Sequence, residues 1–167
     1  MNTLLDARVS ALVDFYRRVQ HERMAGIPLL NAALEVEAVG FAWGQATGQG
    51  EGDDPGAVAE GVLITPWFMS LLRLPARPLP HGDRVGQRFE RDFGSECFDF
   101  IGAHDPGIGY HEACALFSPM AGFATQALAR ETAQAALALT RPAPAPAPEP
   151  VPARRAFLLG RGVGVRE

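Results

Sequence analysis

Between residues 34 and 117 the chain is cut into strand-length apolar runs, and no helical pattern separates one run from the next. Leu34, Val36 and Ala38 alternate with Glu35 and Glu37; Val39, Phe41 and Trp43 then alternate with Gly40 and Ala42. Val58–Ile64, Ser70–Leu74, Val85–Phe93, Glu96–Ala103 and Tyr110–Phe117 follow. The cuts are turn signals: the Gly-rich acidic stretch 44–56, Thr65-Pro66, the prolines at 75, 78 and 80, Gly94, and His104-Asp105-Pro106-Gly107. Parallel neighbours need a long crossover, usually a helix, whereas antiparallel ones are joined by turns. The pattern therefore predicts an antiparallel sheet. Apolar parity switches near Val39-Gly40, which predicts a β-bulge there or a strand end buried on both faces.

Helical periodicity is confined to the two flanks. Leu5, Val9, Leu12, Tyr16 and Val19 recur at helical spacing, and Gly26 and Pro28 end the pattern. A second helix is expected to start at Ser118-Pro119 and run to about Thr140, with Ala121, Ala124, Leu128, Ala135 and Leu139 inward. The fold class is thus α+β, an antiparallel sheet packed against an N-terminal and a C-terminal helix, with the helices on one face. Residues 1–141 form one domain. Residues 142–153 alternate proline with small residues and predict a stiff polyproline-II spacer. A basic-apolar tail, 154–167, completes the Pro-rich C-terminal extension, as a separate docking element or as a strand packed back on the domain.

Composition narrows the function. With 47% hydrophobic and 20% charged residues among 167, a packed core is within reach. A net charge of −4 and a pI near 5.6 argue against a general nucleic-acid binder. All 15 basic residues are arginine, so Schiff-base, Walker-A and lysine-base chemistry is excluded. The N-terminus lacks a signal-peptide pattern, and no apolar run approaches the ~18–20 residues of a membrane span, which points to a cytoplasmic protein without membrane insertion.

Catalytic and metal motifs are sparse. His21, His81, His104 and His111 show no zinc-ligand spacing, and no Cys-x-x-Cys occurs. Cys97 and Cys114 are symmetric about the Asp105-Pro106 turn. A bulge-free hairpin would oppose them directly and set Phe100 against His111. That leaves open a redox or soft-metal pair, beside the plainer reading of two reduced thiols acting as small hydrophobes. There is no Gly-x-Ser-x-Gly elbow and no acid/base constellation, so neither an enzymatic activity nor a cofactor is expected.

One junction is unusually apolar. Thr65-Pro66-Trp67-Phe68-Met69 places three large side chains after a proline. Such residues are favoured at protein-binding surfaces, though Phe68 and Met69 fit the core under the sheet better. A chain turning at Pro66 cannot bury three successive large side chains on one face, so Trp67 is the best candidate for exposure.

The block Gly61–Met69, the block Cys114-Ala-Leu-Phe-Ser118-Pro119-Met120 and the tail Arg154-Arg155-Ala-Phe157-Leu158-Leu159-Gly160-Arg161 together resemble the HybE/HupJ/HoxT family of [NiFe]-hydrogenase assembly chaperones. The resemblance covers nearly the whole chain in order. It implies a non-enzymatic cytoplasmic accessory chaperone with an α+β fold. Such a protein binds immature small or large hydrogenase subunits, works beside other maturation proteins, and prevents premature assembly or export. Thr65, Pro66, Trp67, Phe68 and Met69 are then candidates for client contact, with Arg154, Arg155 and Phe157. The tail is similar to a twin-arginine signal core, which makes such a signal peptide a candidate client and the tail a candidate mimic of it. A redox- or metal-handling accessory role through Cys97 and Cys114 is the alternative. Self-association is left open.

Overall fold

The computed structural model describes residues 3–44, 56–93 and 96–141; most of the Gly-rich stretch, the proline spacer and the tail lie outside them. The order is α1 (Thr3–Glu22), β1 (Glu37–Trp43), β2 (Val58–Ile64), β3 (Met69–Pro75), a 3-10 turn (Gly82–Arg84), β4 (Arg88–Phe93), β5 (Glu96–Asp105), β6 (Gly109–Phe117) and α2 (Gln126–Thr140). The six strands form one sheet in the order β1-β2-β3-β6-β5-β4, every neighbour antiparallel. Two three-stranded meanders are joined through β3 and β6. This is the α+β architecture that the turn-separated runs predict.

The helices do not share a face. Leu12 and Phe15 of α1 pack with Val36, Ala59, Leu63, Leu72, Leu74 and Ile108. Ala129, Ala133 and Leu137 of α2 pack with Val39, Val62, Ile64, Met69, Leu71 and Phe100 on the other side. The expectation of one covered face is corrected, and the reason lies in the central strands. Val62-Leu63-Ile64 and Leu71-Leu72 are apolar at consecutive positions, and neighbouring strand residues point to opposite faces. Both faces then need a cover. Arg8 fastens α1 down: its Nε donates to the Pro75 carbonyl at 3.0 Å and its Nη2 to that of Ile108 at 2.8 Å.

The expected bulge is present. Val39 faces Val62, but Ala42 faces Glu60, so β1 holds one residue more than β2 across this stretch. Gly40 has φ 62°, and a Cβ there would lie 2.6 Å from Leu137 Cδ1. The extra residue reverses the facing of β1: Val39 joins the α2 layer, and Phe41 and Trp43 join the α1 layer.

The second helix starts later than expected. Ser118-Pro119, a cis peptide, precedes an irregular stretch in which Met120 and Phe123 enter the core. The carbonyls of both accept from Asn31 Nδ2, at 2.9 and 2.7 Å, which commits them away from a helix ladder. Thr125 caps α2 instead, accepting from the Leu128 amide at 3.2 Å. The buried stripe is Ala129, Ala133, Leu137 and Thr140, whereas Leu128 and Leu139 are exposed. Small side chains at the contact let the helix lie close to the sheet, and the expected inward set of Ala121, Ala124, Leu128, Ala135 and Leu139, all exposed, is corrected accordingly.

Candidate functional site

Thr65–Phe68 is the β2–β3 turn, and Thr65 builds it. Its amide donates to the Phe68 carbonyl at 2.8 Å, and its Oγ1 donates to the same oxygen at 2.9 Å. The same Oγ1 accepts from the amides of Trp67 at 3.3 Å and Phe68 at 2.9 Å. The Pro66 carbonyl accepts from the Asn31 amide at 2.9 Å. The candidate residues therefore separate. Thr65, Pro66 and Met69 are buried, Met69 within the α2-side core. Trp67 and Phe68 are half-buried at the corner of the sheet.

A partner that sequence reasoning overlooked completes the corner. Tyr16 of α1 meets Phe68 edge-on at 5.5 Å and Trp67 at 6.5 Å, and Trp67 meets Phe68 edge-on at 5.6 Å. Edge-on aromatic contacts of this kind stabilise beyond area burial. Burial, helped by Asp105, pushes the Tyr16 phenol up to about 12. The periodicity of α1 gives Tyr16 an inward position, but only the fold brings it beside the turn.

A charged cluster lies at the opposite end of β2 and β3, on the sheet face that α2 covers elsewhere. Glu60, Arg73 and Glu112 are successive cross-strand neighbours in β2, β3 and β6. The Glu112 side chain is 5% exposed and takes charge-assisted hydrogen bonds from three arginines. Arg73 Nη1 donates at 2.8 Å, Arg91 Nη2 and Nε at 2.6 and 3.0 Å, and Arg84 Nη2 at 3.4 Å. Arg73 Nε also donates to Glu60 at 2.9 Å, and the Tyr110 hydroxyl donates to Glu112 at 3.2 Å. Burial alone would push the Glu112 carboxyl up; hydrogen bonds from Arg91 and Arg73 outweigh it and hold the group below the usual carboxylate range. A cleft of about 320 Å³ opens over these groups, walled also by Pro75, Leu79 and His81.

The cluster has a sequence signature that went unread. Glu60, Arg73 and Glu112 are single charges at inward positions of otherwise apolar strands. A lone charge there is costly unless a partner faces it, and each faces one. Gly102 admits the 3-10 turn to the cluster: a Cβ would clash with the Arg84 carbonyl and lie 3.0 Å from the Tyr110 hydroxyl.

The cysteine geometry differs from expectation. Ala103 faces His111 and Ile101 faces Ala113, so the turn holds three residues between Asp105 and Gly109. Carried along the strands, this register sets Cys97 three positions from the point facing Cys114, about 10 Å at the strand rise. A directly opposed pair is thereby corrected, and so is the Phe100–His111 pairing. Cys97 is exposed and Cys114 half-buried. Burial, helped by Asp99, pushes the Cys114 thiol up, away from the reactive thiolate. His111 is buried, its Nδ1 3.1 Å from the Gly109 carbonyl, and burial lowers its pKa. Among the described residues no group of three or more His, Cys, Asp or Glu is gathered so as to hold a metal ion. Arg154, Arg155 and Phe157 lie outside the described residues.

The fold and its two surface features define an α+β protein with one six-stranded antiparallel sheet between two helices, an aromatic corner at one end of the central strands and a charged cleft at the other. The chain belongs to the HybE family of [NiFe]-hydrogenase assembly chaperones, which it matches over residues 7–160. It is 43% identical over 164 residues to protein HoxT of Cupriavidus necator, covering 92% of this chain and 89% of that one. It is 34% identical over 152 residues to the hydrogenase expression/formation protein HupT of Azotobacter chroococcum, covering 91% and 94%. The solution structure of HybE from Escherichia coli superposes with a TM-score of 0.57 at 17% identity, covering 94% of this chain and 91% of that one, which shows a shared fold. Among the described residues, no helix is long and apolar enough to cross a membrane.

Proposed function

We propose that the chain is a cytoplasmic, non-enzymatic accessory chaperone that binds immature [NiFe]-hydrogenase structural subunits and prevents their premature assembly or export. Membership of the assembly-chaperone family supports the class. The observation that carries the site is the corner at Trp67: a tryptophan left half-buried on a rigid turn, backed by Phe68 and Tyr16. Rigid aromatics with one open face give large contact area at low entropic cost, the usual anchor of a protein interface. Trp67 and Phe68 meet the client in this reading. Thr65, Pro66 and Met69 support them from beneath, and Arg154, Arg155 and Phe157 assist from the tail. The small subunit's twin-arginine signal peptide is one client.

Co-purification from hydrogenase-expressing cells, with mass spectrometry of what binds, tests the reading. Hydrogenase subunit precursors are the expected partners. Trp67→Ala should lower stability by about 1–2 kcal/mol and weaken capture by about 2 kcal/mol, roughly 30-fold. If folded Trp67→Ala protein captures the precursors as well as the parent does, Trp67 is a packing residue and the site assignment fails.

A further inference from the structure

We propose that the cleft over Arg73, Arg84, Arg91 and Glu112 is a binding site for a carboxylate-bearing ligand. Among the described residues, three guanidinium groups share two carboxylates, Glu60 and Glu112, so one positive charge is left over. A cluster serving only to bury a glutamate would need fewer arginines and no opening.

Among the described residues Arg84 spends a single donor on Glu112, at 3.4 Å, which leaves most of its N–H groups for a further acceptor. Its guanidinium stacks over the Phe89 ring at 4.6 Å and lies 5.3 Å from the centre of the Tyr110 ring; that of Arg91 lies 5.3 Å from Phe89. Both are thus held by aromatic and carboxylate contacts before any ligand arrives, and both are about one-third exposed. Planar, pre-oriented guanidinium groups with spare donors suit the bidentate geometry of a carboxylate. Glu112 already shows the chemistry: it is a carboxylate seated among the same donors.

The cleft volume of about 320 Å³, with Pro75 and Leu79 on its wall, admits a small acid or the end of a peptide. The ligand's carboxylate would meet Arg84 and Arg91, and its apolar part would lie against the two walls. The cleft is some 15–20 Å along the strands from Trp67. The inference therefore stands apart from the proposed client contact.

The test uses the full chain and reads the arginine Nε–H signals by NMR and the unfolding midpoint. The probes are succinate, a short acidic peptide with a free C-terminal carboxylate, its C-terminal amide, and inorganic phosphate. Saturable shifts at Arg84 and Arg91 with succinate or the free-acid peptide are expected. In Arg84→Gln the binding should weaken about tenfold, while the ligand-free midpoint stays within a few degrees, because Arg84 has the longest bond of the cluster. A response to succinate alone assigns a small metabolite; a response to the free acid over the amide assigns a peptide end. Absence of saturable binding by any carboxylate, binding of phosphate alone, or equal binding in Arg84→Gln would overturn the proposal.

Discussion

Glu112 is the residue on which the charged end of the molecule depends. Its carboxylate is buried, and three arginines and a tyrosine converge on it. Removing one partner of a buried ion pair leaves the others uncompensated, so Glu112→Gln should cost about 3 kcal/mol, roughly 6–12 °C in Tm for a chain of this size. The sign of the pH dependence follows from the lowered pKa. The carboxylate's contribution is present above its unfolded value, near 4.3, and is lost as pH falls through the lower folded value. Thermal unfolding from neutral pH downward should show the parent losing stability on that acid limb and Glu112→Gln losing less. Equal acid limbs would mean that the arginines do not hold the carboxylate charged. At this same scale the partial exposure of Trp67 was legible, because a proline turn splits consecutive side chains, but that of Phe68 beside it was not. Tyr16, its partner, was legible only as an inward position.

Among the elements, the strands were read well and the helix contacts poorly. The bulge at Gly40 left its mark as a parity switch, which a strand end buried on both faces would also have produced; the pairing of Val39 with Val62 and Ala42 with Glu60 decides for the bulge. The hairpin of β5 and β6 left no such mark of its register. Its turn residues were visible, but the number and place of the residues in the turn fix the register, and a three-position shift moved every cross-strand pair, Cys97 and Cys114 included. For α2, six alanines among fifteen residues, spread around the helix, left the inward face undetermined. Leu139, 70% exposed, shows that side-chain size alone does not choose it. The 3-10 turn depends on a missing side chain. Gly102→Ala should displace Arg84 and cost about 1–3 kcal/mol. Faster hydrogen exchange at the Gly86 amide, which donates to the Gly102 carbonyl at 2.8 Å, would report it. Unchanged exchange and stability would show that the turn accommodates a methyl group.

Among the described residues, both core layers draw their buried side chains from the stretch between Leu12 and Leu137. A chain ending at Arg141 should therefore unfold within a few degrees of the full chain. A loss of roughly 10 °C or more would show that residues 142–167 pack on the domain and are not a separate extension. The same shortened chain addresses the tail. If the tail mimics a signal peptide, removing it should leave signal-peptide binding equal or stronger; weaker binding would make the tail part of the client contact instead.

The sequence by itself determined the α+β class, the antiparallel sheet and the turn at Thr65, and marked the parity switch at Val39-Gly40, because periodicity and turn chemistry are local and survive without the rest of the chain. Its ordered blocks also pointed to the family. Tertiary structure alone decided the rest: α1 and α2 on opposite faces, Tyr16 beside Trp67, and three arginines around Glu112. Those contacts join residues far apart in the chain, brought together by a register and a packing choice that no single segment contains.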